Sequence, residues 1–146
     1  MNKIRLIWPG KTKSNFIKIA ISEYIKFIKP YANIEIIELR EGSGSREQVI
    51  KEESSRIMDN APENFILLDE LGVNYTSFEF ASFIKHSNEL NFIIGGVFGL
   101  SKEAKEKAKK KIALSKMTLT HEMTRLLLLE QIYRAFTIIK GKKYHY

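Results

Sequence analysis

Cysteine is absent from the 146 residues, which excludes a disulfide framework, a thiolate metal site and a cysteine nucleophile. Histidine is scarce. His86, His121 and His145 have no metal-ligand spacing and no H-E-x-x-H occurs, so no metal is expected. A G-x-S-x-G nucleophile elbow and a G-x-x-x-x-G-K-[ST] phosphate loop are both missing, which disfavours the familiar hydrolase and P-loop chemistries. No apolar run is long enough to span a membrane. The apolar part of residues 1–10 is too short for a signal peptide. These absences together lead us to expect a soluble, cytoplasmic protein with no membrane-spanning part.

What is present is globular in character. Hydrophobic residues make up 44% and charged residues 28% of the chain, and the length suits one domain over residues 1–146 with a real core. Twenty-four basic residues face 17 acidic ones, a net charge of +7, which points to a polyanionic partner: RNA, DNA or a membrane surface. The excess is concentrated late. Residues 101–116 carry seven lysines against Glu103 and Glu106, and residues 125–146 carry five basic groups against Glu130.

Hydrophobic spacing divides the chain into alternating strands and helices. Residues 4–8 read as a strand closed by Pro9-Gly10. Ser14 is placed to cap a helix whose apolar positions recur every three or four residues until Pro30 ends it. Residues 34–39 form the next strand, 41–46 a polar loop and 47–59 a helix with a thin apolar edge. Residues 64–68 read as a buried strand ending at Asp69-Glu70, and Thr76 with Glu79 as a capping box opening a helix to about His86. A fourth strand covers 91–94. Ser101 caps a lysine-rich helix, 113–119 is a fifth strand or an irregular loop, and a last helix runs from Thr120-His121 to Lys140, stopped at Gly141. This alternation predicts an α/β fold, a mostly parallel sheet with helices on both faces.

Two regions carry candidate chemistry. Gly95-Gly96-Val97-Phe98-Gly99 directly follows a buried strand. Glycines permit sharp bends and close ligand approach, and the carboxyl ends of parallel strands are where open α/β sheets bind nucleotides. The pattern fits equally a tight turn that needs positive φ. Asp69 and Glu70 occupy a comparable strand end and read equally as solvated residues. The second region is the tail, where Arg134 on the last helix joins Tyr144, His145 and Tyr146. Aromatics stack on unpaired bases and arginine pairs with phosphate.

In order along the chain come Ile94-Gly95-Gly96-x-x-Gly99-Leu100, Leu114-Ser115-Lys116-Met117-Thr118-Leu119, His121 with Arg125, Glu130-Gln131-Ile132-Tyr133-Arg134-Ala135 and the terminal Tyr144-His145. With residues 4–10 and Glu23-Tyr24, these segments resemble the RlmH-type SPOUT methyltransferases, which methylate N3 of a pseudouridine in 23S ribosomal RNA. The resemblance covers essentially the whole chain. It implies a SPOUT-type fold with a C-terminal trefoil knot, S-adenosylmethionine as cofactor, and a homodimer acting on the large subunit within the assembled ribosome. By position, it assigns Leu68, Gly95, Gly96, Gly99, Leu114, Ser115, Lys116, Met117, Thr118 and Leu119 to the cofactor pocket, with His121 on its wall. Arg134 and His145 are assigned to the target base, His145 as proton acceptor, and Tyr144 to positioning that base. Arg125 reads equally as structural.

Three departures from the family pattern stand out. Thr120-His121 replaces a Pro-His pair, which predicts a looser turn. Val97-Phe98 is bulkier and less polar than usual, and Tyr146 stands where a basic residue often follows Tyr-His. Two other readings share this fold: a basic RNA- or ribosome-binding protein without catalysis, and a tRNA methyltransferase.

Overall fold

The structure is a computed structural model in which residues 2–145 are described. Five strands and five helices alternate: β1 Asn2–Pro9, α1 Asn15–Ile28, β2 Ala32–Leu39, α2 Arg46–Asn60, β3 Ile66–Asn74, α3 Ser77–Lys85, β4 Glu89–Ile93, α4 Lys102–Glu106, β5 Lys110–Ala113 and α5 His121–Ile139. All sheet pairings are parallel, in the order β2-β1-β4-β3-β5. Alternate residues of a strand point to opposite faces, and β1 follows this rule. Ile4, Leu6 and Trp8 enter a core with residues of α1, α3 and α5. Ile7 joins Ile57 of α2 and Ala104 of α4 on the other face. Full burial of side chains such as Ile4, Leu6 and Phe92 stabilises the fold by about 1.5–3 kcal/mol each.

The end signals read from sequence mostly hold. Thr76 and Glu79 form the capping box of α3, the Ser101 hydroxyl accepts from Ala104 N–H at the start of α4, and Gly141 follows α5 with φ +66°. Ser14 is the N-cap of α1, but its side chain makes no capping bond. Glu122 of α5 instead holds the two amides just ahead of the first turn, accepting the N–H of Lys13 at 2.9 Å and of Ser14 at 3.1 Å. A carboxylate at a helix N-terminus is well placed for the helix dipole.

Two boundaries differ from the sequence reading. Strand β3 does not end at Asp69-Glu70; it continues to Asn74 and rejoins β5 beyond an irregularity, with Val73 opposite Ile112. Gly72 lies so close to Lys111 that an added Cβ would sit 2.6 Å from its carbonyl carbon, a close backbone approach that only glycine tolerates. The lysine-rich segment is helical only over Lys102–Glu106, because Lys110 and Lys111 belong to β5. Residues 114–119 are loop.

Candidate active site

The middle of β3 and the carboxyl ends of β4 and β5 open into a cavity of about 700 Å³, within the range of small-molecule sites. Leu68, Asp69 and Glu70 of β3 form one wall. The turn after β4 forms the second, through Gly95, Gly96, Val97 and Gly99. The loop after β5 supplies Leu114, Ser115, Met117, Thr118 and Leu119, and the first turn of α5 adds His121 and Thr124. Every position expected for the cofactor therefore lies on this one cavity, except Lys116. Lys116 is exposed and does not line it; there the loop folds on itself, with Ser115 Oγ accepting Met117 N–H at 2.9 Å.

The glycine turn has a definite geometry. Gly99 N–H donates to Gly96 O at 3.0 Å and Gly99 has φ +75°, a left-handed conformation natural to glycine. A Cβ on Gly95 would meet Gly99 Cα at 3.2 Å, and one on Gly96 would stand 2.5 Å from Glu53 Oε1. The turn is thus compact, with bare backbone facing the cavity. Val97 and Phe98 stay exposed at its tip, with the Arg46 guanidinium 5.4 Å from the Phe98 ring centre. Across the cavity, Thr118 Oγ1 donates to Glu70 Oε2 and ties the 114–119 loop to β3. Asp69 and Glu70, which the sequence left undecided, are wall residues bringing negative charge to the cavity.

The start of α5 is firm. Thr120 Oγ1 accepts Met123 N–H at 3.2 Å, so threonine secures by capping what proline would secure by ring closure, and the expected looseness is not seen. Burial, with Arg125 nearby, holds the His121 imidazole below its ordinary pKa. Arg125 is fully buried and structural: it donates to Thr12 Oγ1 at 3.0 Å and Pro9 O at 2.8 Å, and stacks 4.7 Å from the Trp8 ring centre.

The tail residues form a second cluster. Arg134 donates to Glu130 Oε1 through Nε at 3.1 Å and Nη2 at 2.5 Å. Its Nη1 stands 3.0 Å from His145 Nδ1, and Tyr144 lies beneath its guanidinium, 4.7 Å from Cζ to ring centre. Tyr144 Oη donates to Glu130 Oε1 at 3.2 Å and lies 3.2 Å from Tyr24 Oη. Burial, reinforced by Tyr24, pushes the Tyr144 phenol well above its ordinary pKa, so it stays a donor. The bond to Glu130 raises the Arg134 pKa. Guanidinium has only donors, so His145 Nδ1 is the acceptor and a neutral ring carries its hydrogen on Nε2. Glu130 is the hub that sequence reasoning passed over; its spacing of four from Arg134 on one helix was the available signal. Tyr146 lies outside the described residues.

The two groups do not meet within one chain. His121 is at the cavity and Arg134 is 13 residues further along α5, about 20 Å at 1.5 Å per residue.

Comparison with known proteins gives a consistent picture. A family model described as "Predicted SPOUT methyltransferase" matches residues 2–145. The chain is 49% identical over 146 residues, all of both chains, to the ribosomal RNA large subunit methyltransferase H of Thermodesulfovibrio yellowstonii. It is 42% identical over 152 residues, 99% of each chain, to the protein of the same name from a Geobacter species. Among solved structures, tRNA (m1G37) methyltransferase from Aquifex aeolicus aligns with a TM-score of 0.56 at 16% identity, covering 91% of this chain and 70% of that one. A putative methyltransferase from Legionella pneumophila, solved with S-adenosylmethionine bound, aligns with a TM-score of 0.55 at 13% identity, covering 92% and 66%. The structural likenesses speak for the fold alone; with the family match and the full-length relatives, they establish that the chain belongs to the SPOUT methyltransferase family, in the group whose curated members are named ribosomal RNA large subunit methyltransferase H.

Proposed function

We propose that this protein methylates N3 of a pseudouridine in the 23S rRNA of the large ribosomal subunit, working in the cytoplasm as a homodimer on the assembled ribosome. The observation that carries the reading is the full-length identity of 49% to a large subunit methyltransferase H, with a glycine-cradled cavity where the family's shared chemistry needs one. The cavity suits S-adenosylmethionine. Bare glycine backbone allows close approach, Leu68, Leu114 and Leu119 offer apolar surface for an adenine, and Asp69 and Glu70 match a cationic ligand. When bound, that cofactor supplies a methyl group activated by a sulfonium. A C-terminal trefoil knot belongs to the same reading, with the chain passing from α4 on one sheet face, by way of β5, to α5 on the other.

Separation of cavity and tail cluster supports the dimer. A second chain must bring its Arg134, Tyr144 and His145 to the first chain's cavity. Apolar residues left exposed on α1, namely Phe16, Ile19 and Phe27, offer a face for such a partner. Phe27 packs tilted against Tyr133, beside the cluster, with ring centres 5.4 Å apart. In the assembled site, Arg134 fixes the base and stabilises the anion formed as N3 loses its proton. His145 takes that proton at Nδ1 once Arg134 turns from the imidazole to the base. Tyr144, kept protonated, holds the base in line with the methyl donor. The late-chain lysines supply rRNA phosphate contacts.

The test is transfer of labelled methyl from S-adenosylmethionine to ribosomes, isolated large subunits and bulk tRNA, all lacking the modification. Label is expected on whole ribosomes and falls at least about a hundredfold in Arg134→Ala, the scale of losing a transition-state donor. Label confined to tRNA, or none from folded protein, overturns the reading.

A further inference from the structure

Helix α2 buries three residues, Glu53, Ser54 and Ile57, and two of them are polar. A polar group withdrawn from water requires partners, so what these two hold is informative. Ser54 is 5% exposed, and its Oγ accepts the N–H of Ser101 at 2.9 Å. Glu53 is 3% exposed, and its Oε2 accepts the N–H of Gly42, just beyond β2, at 2.9 Å. Its Oε1 has no hydrogen-bond partner among the described residues and lies against Gly96, where an added Cβ would come within 2.5 Å. Gly96 and Ser101 bracket the glycine turn. Two consecutive residues of one helix thus meet both ends of the segment that walls the cavity, Ser54 by a hydrogen bond to Ser101 and Glu53 by packing against Gly96 while its own bond anchors Gly42, and neither lines the cavity itself.

Charge balance alone does not explain Glu53. Its field reaches the buried Arg125, but Glu122, Glu38 and Glu41 all contribute more to that group. The guanidinium makes its bonds to Thr12 and Pro9 instead. What singles Glu53 out is its contact with the turn.

We propose that Glu53 and Ser54 are positioning residues for cofactor binding: by fixing the course of residues 96–101 they set the shape of the cavity and so the affinity for S-adenosylmethionine. This rests on the cofactor assignment above. Neither residue reaches the cavity, so the proposal places their effect on cofactor affinity, which is read separately from kcat at saturating cofactor.

Calorimetric titration of the full-length protein with S-adenosylmethionine tests this, using Ser54→Ala, Glu53→Ala and two comparison variants. Ser55→Ala alters an exposed serine of the same helix, and Ile84→Val trims a buried core side chain of α3 whose carbonyl lies against Asn2, at the amino end of β1. Ser54→Ala and Glu53→Ala are expected to raise Kd about tenfold, the scale of leaving one buried donor unsatisfied, with kcat at saturating cofactor within about twofold. Ile84→Val lowers the melting temperature without moving Kd, and Ser55→Ala changes neither. Kd values for Ser54→Ala and Glu53→Ala no higher than that of Ile84→Val overturn the proposal; if Glu53→Ala does not fold, Ser54→Ala decides alone. Failure of the unaltered protein to bind overturns the cofactor assignment as well, which separates the two failures.

Discussion

Glu130 organises the tail cluster as much as the residues expected to touch the base. Its Oε1 receives both Arg134 and Tyr144, so one carboxylate fixes the cation and the phenol together. The charge on Arg134 is secured by that contact, and the phenol is kept protonated by burial. At the other end of α5, His121 gives a prediction in pH. Burial, with Arg125 adding to it, favours the neutral imidazole in the folded state. The unfolded chain therefore takes up this proton first as pH falls, and stability declines from about pH 6.5, the ordinary imidazole value, down through the lower folded value. Glu122 also loses stability in acid, since the amide bonds from Lys13 and Ser14 outweigh its burial and hold its carboxyl below the ordinary value. That loss comes at lower pH, in the carboxylate range. Between pH 7.5 and 5.5 the melting temperature of the unaltered protein should fall more than that of His121→Gln; parallel curves contradict this account of His121.

Among the elements, α1 carries the clearest unmet demand. Phe16, Ile19 and Phe27 are 68%, 65% and 46% exposed, at spacings that place them along one stripe, while Ile17, Ile21 and Ile28 face the core. Phe27→Glu puts a charge in that stripe and should turn the proposed dimer into monomer by light scattering, with far-UV circular dichroism unchanged; a dimer that persists removes α1 from the interface. Element starts were legible where side chain and backbone act within a few residues, as at Thr76, Ser101 and Thr120. They were not legible where a distant group intervenes. Ser14 has the right composition for a cap, yet its side chain makes no capping bond, and Glu122, remote in sequence, holds the entry to the helix through the amides of Lys13 and Ser14. The extension of β3 was hidden for the same reason: residues 69–74 have no continuous apolar pattern, and β5 supplies their pairing.

At the scale of the molecule, the proposed function joins the basic late third to the cavity, and the cavity is built almost wholly from segments the sequence had singled out. Short motifs marked them because glycine and strand-end residues are constrained locally. Glu53 and Ser54 escaped because their task depends on how α2 packs against a loop more than forty residues away. The separation of cavity from tail cluster also needed three dimensions, since a helix of 19 residues carries its ends about 28 Å apart. That separation makes a two-chain active site the central claim. Its most direct test mixes two inactive proteins, Gly96→Val, whose side chain collides with Glu53, and Arg134→Ala, unfolding and refolding them together before measuring methyl transfer to ribosomes lacking the modification. Mixed dimers contain one intact cavity facing one intact cluster, and the mixture should regain about a quarter of full activity, half its dimers being mixed with one working site each. A mixture as inactive as its parts, with mixed dimers demonstrated, contradicts a site shared between chains.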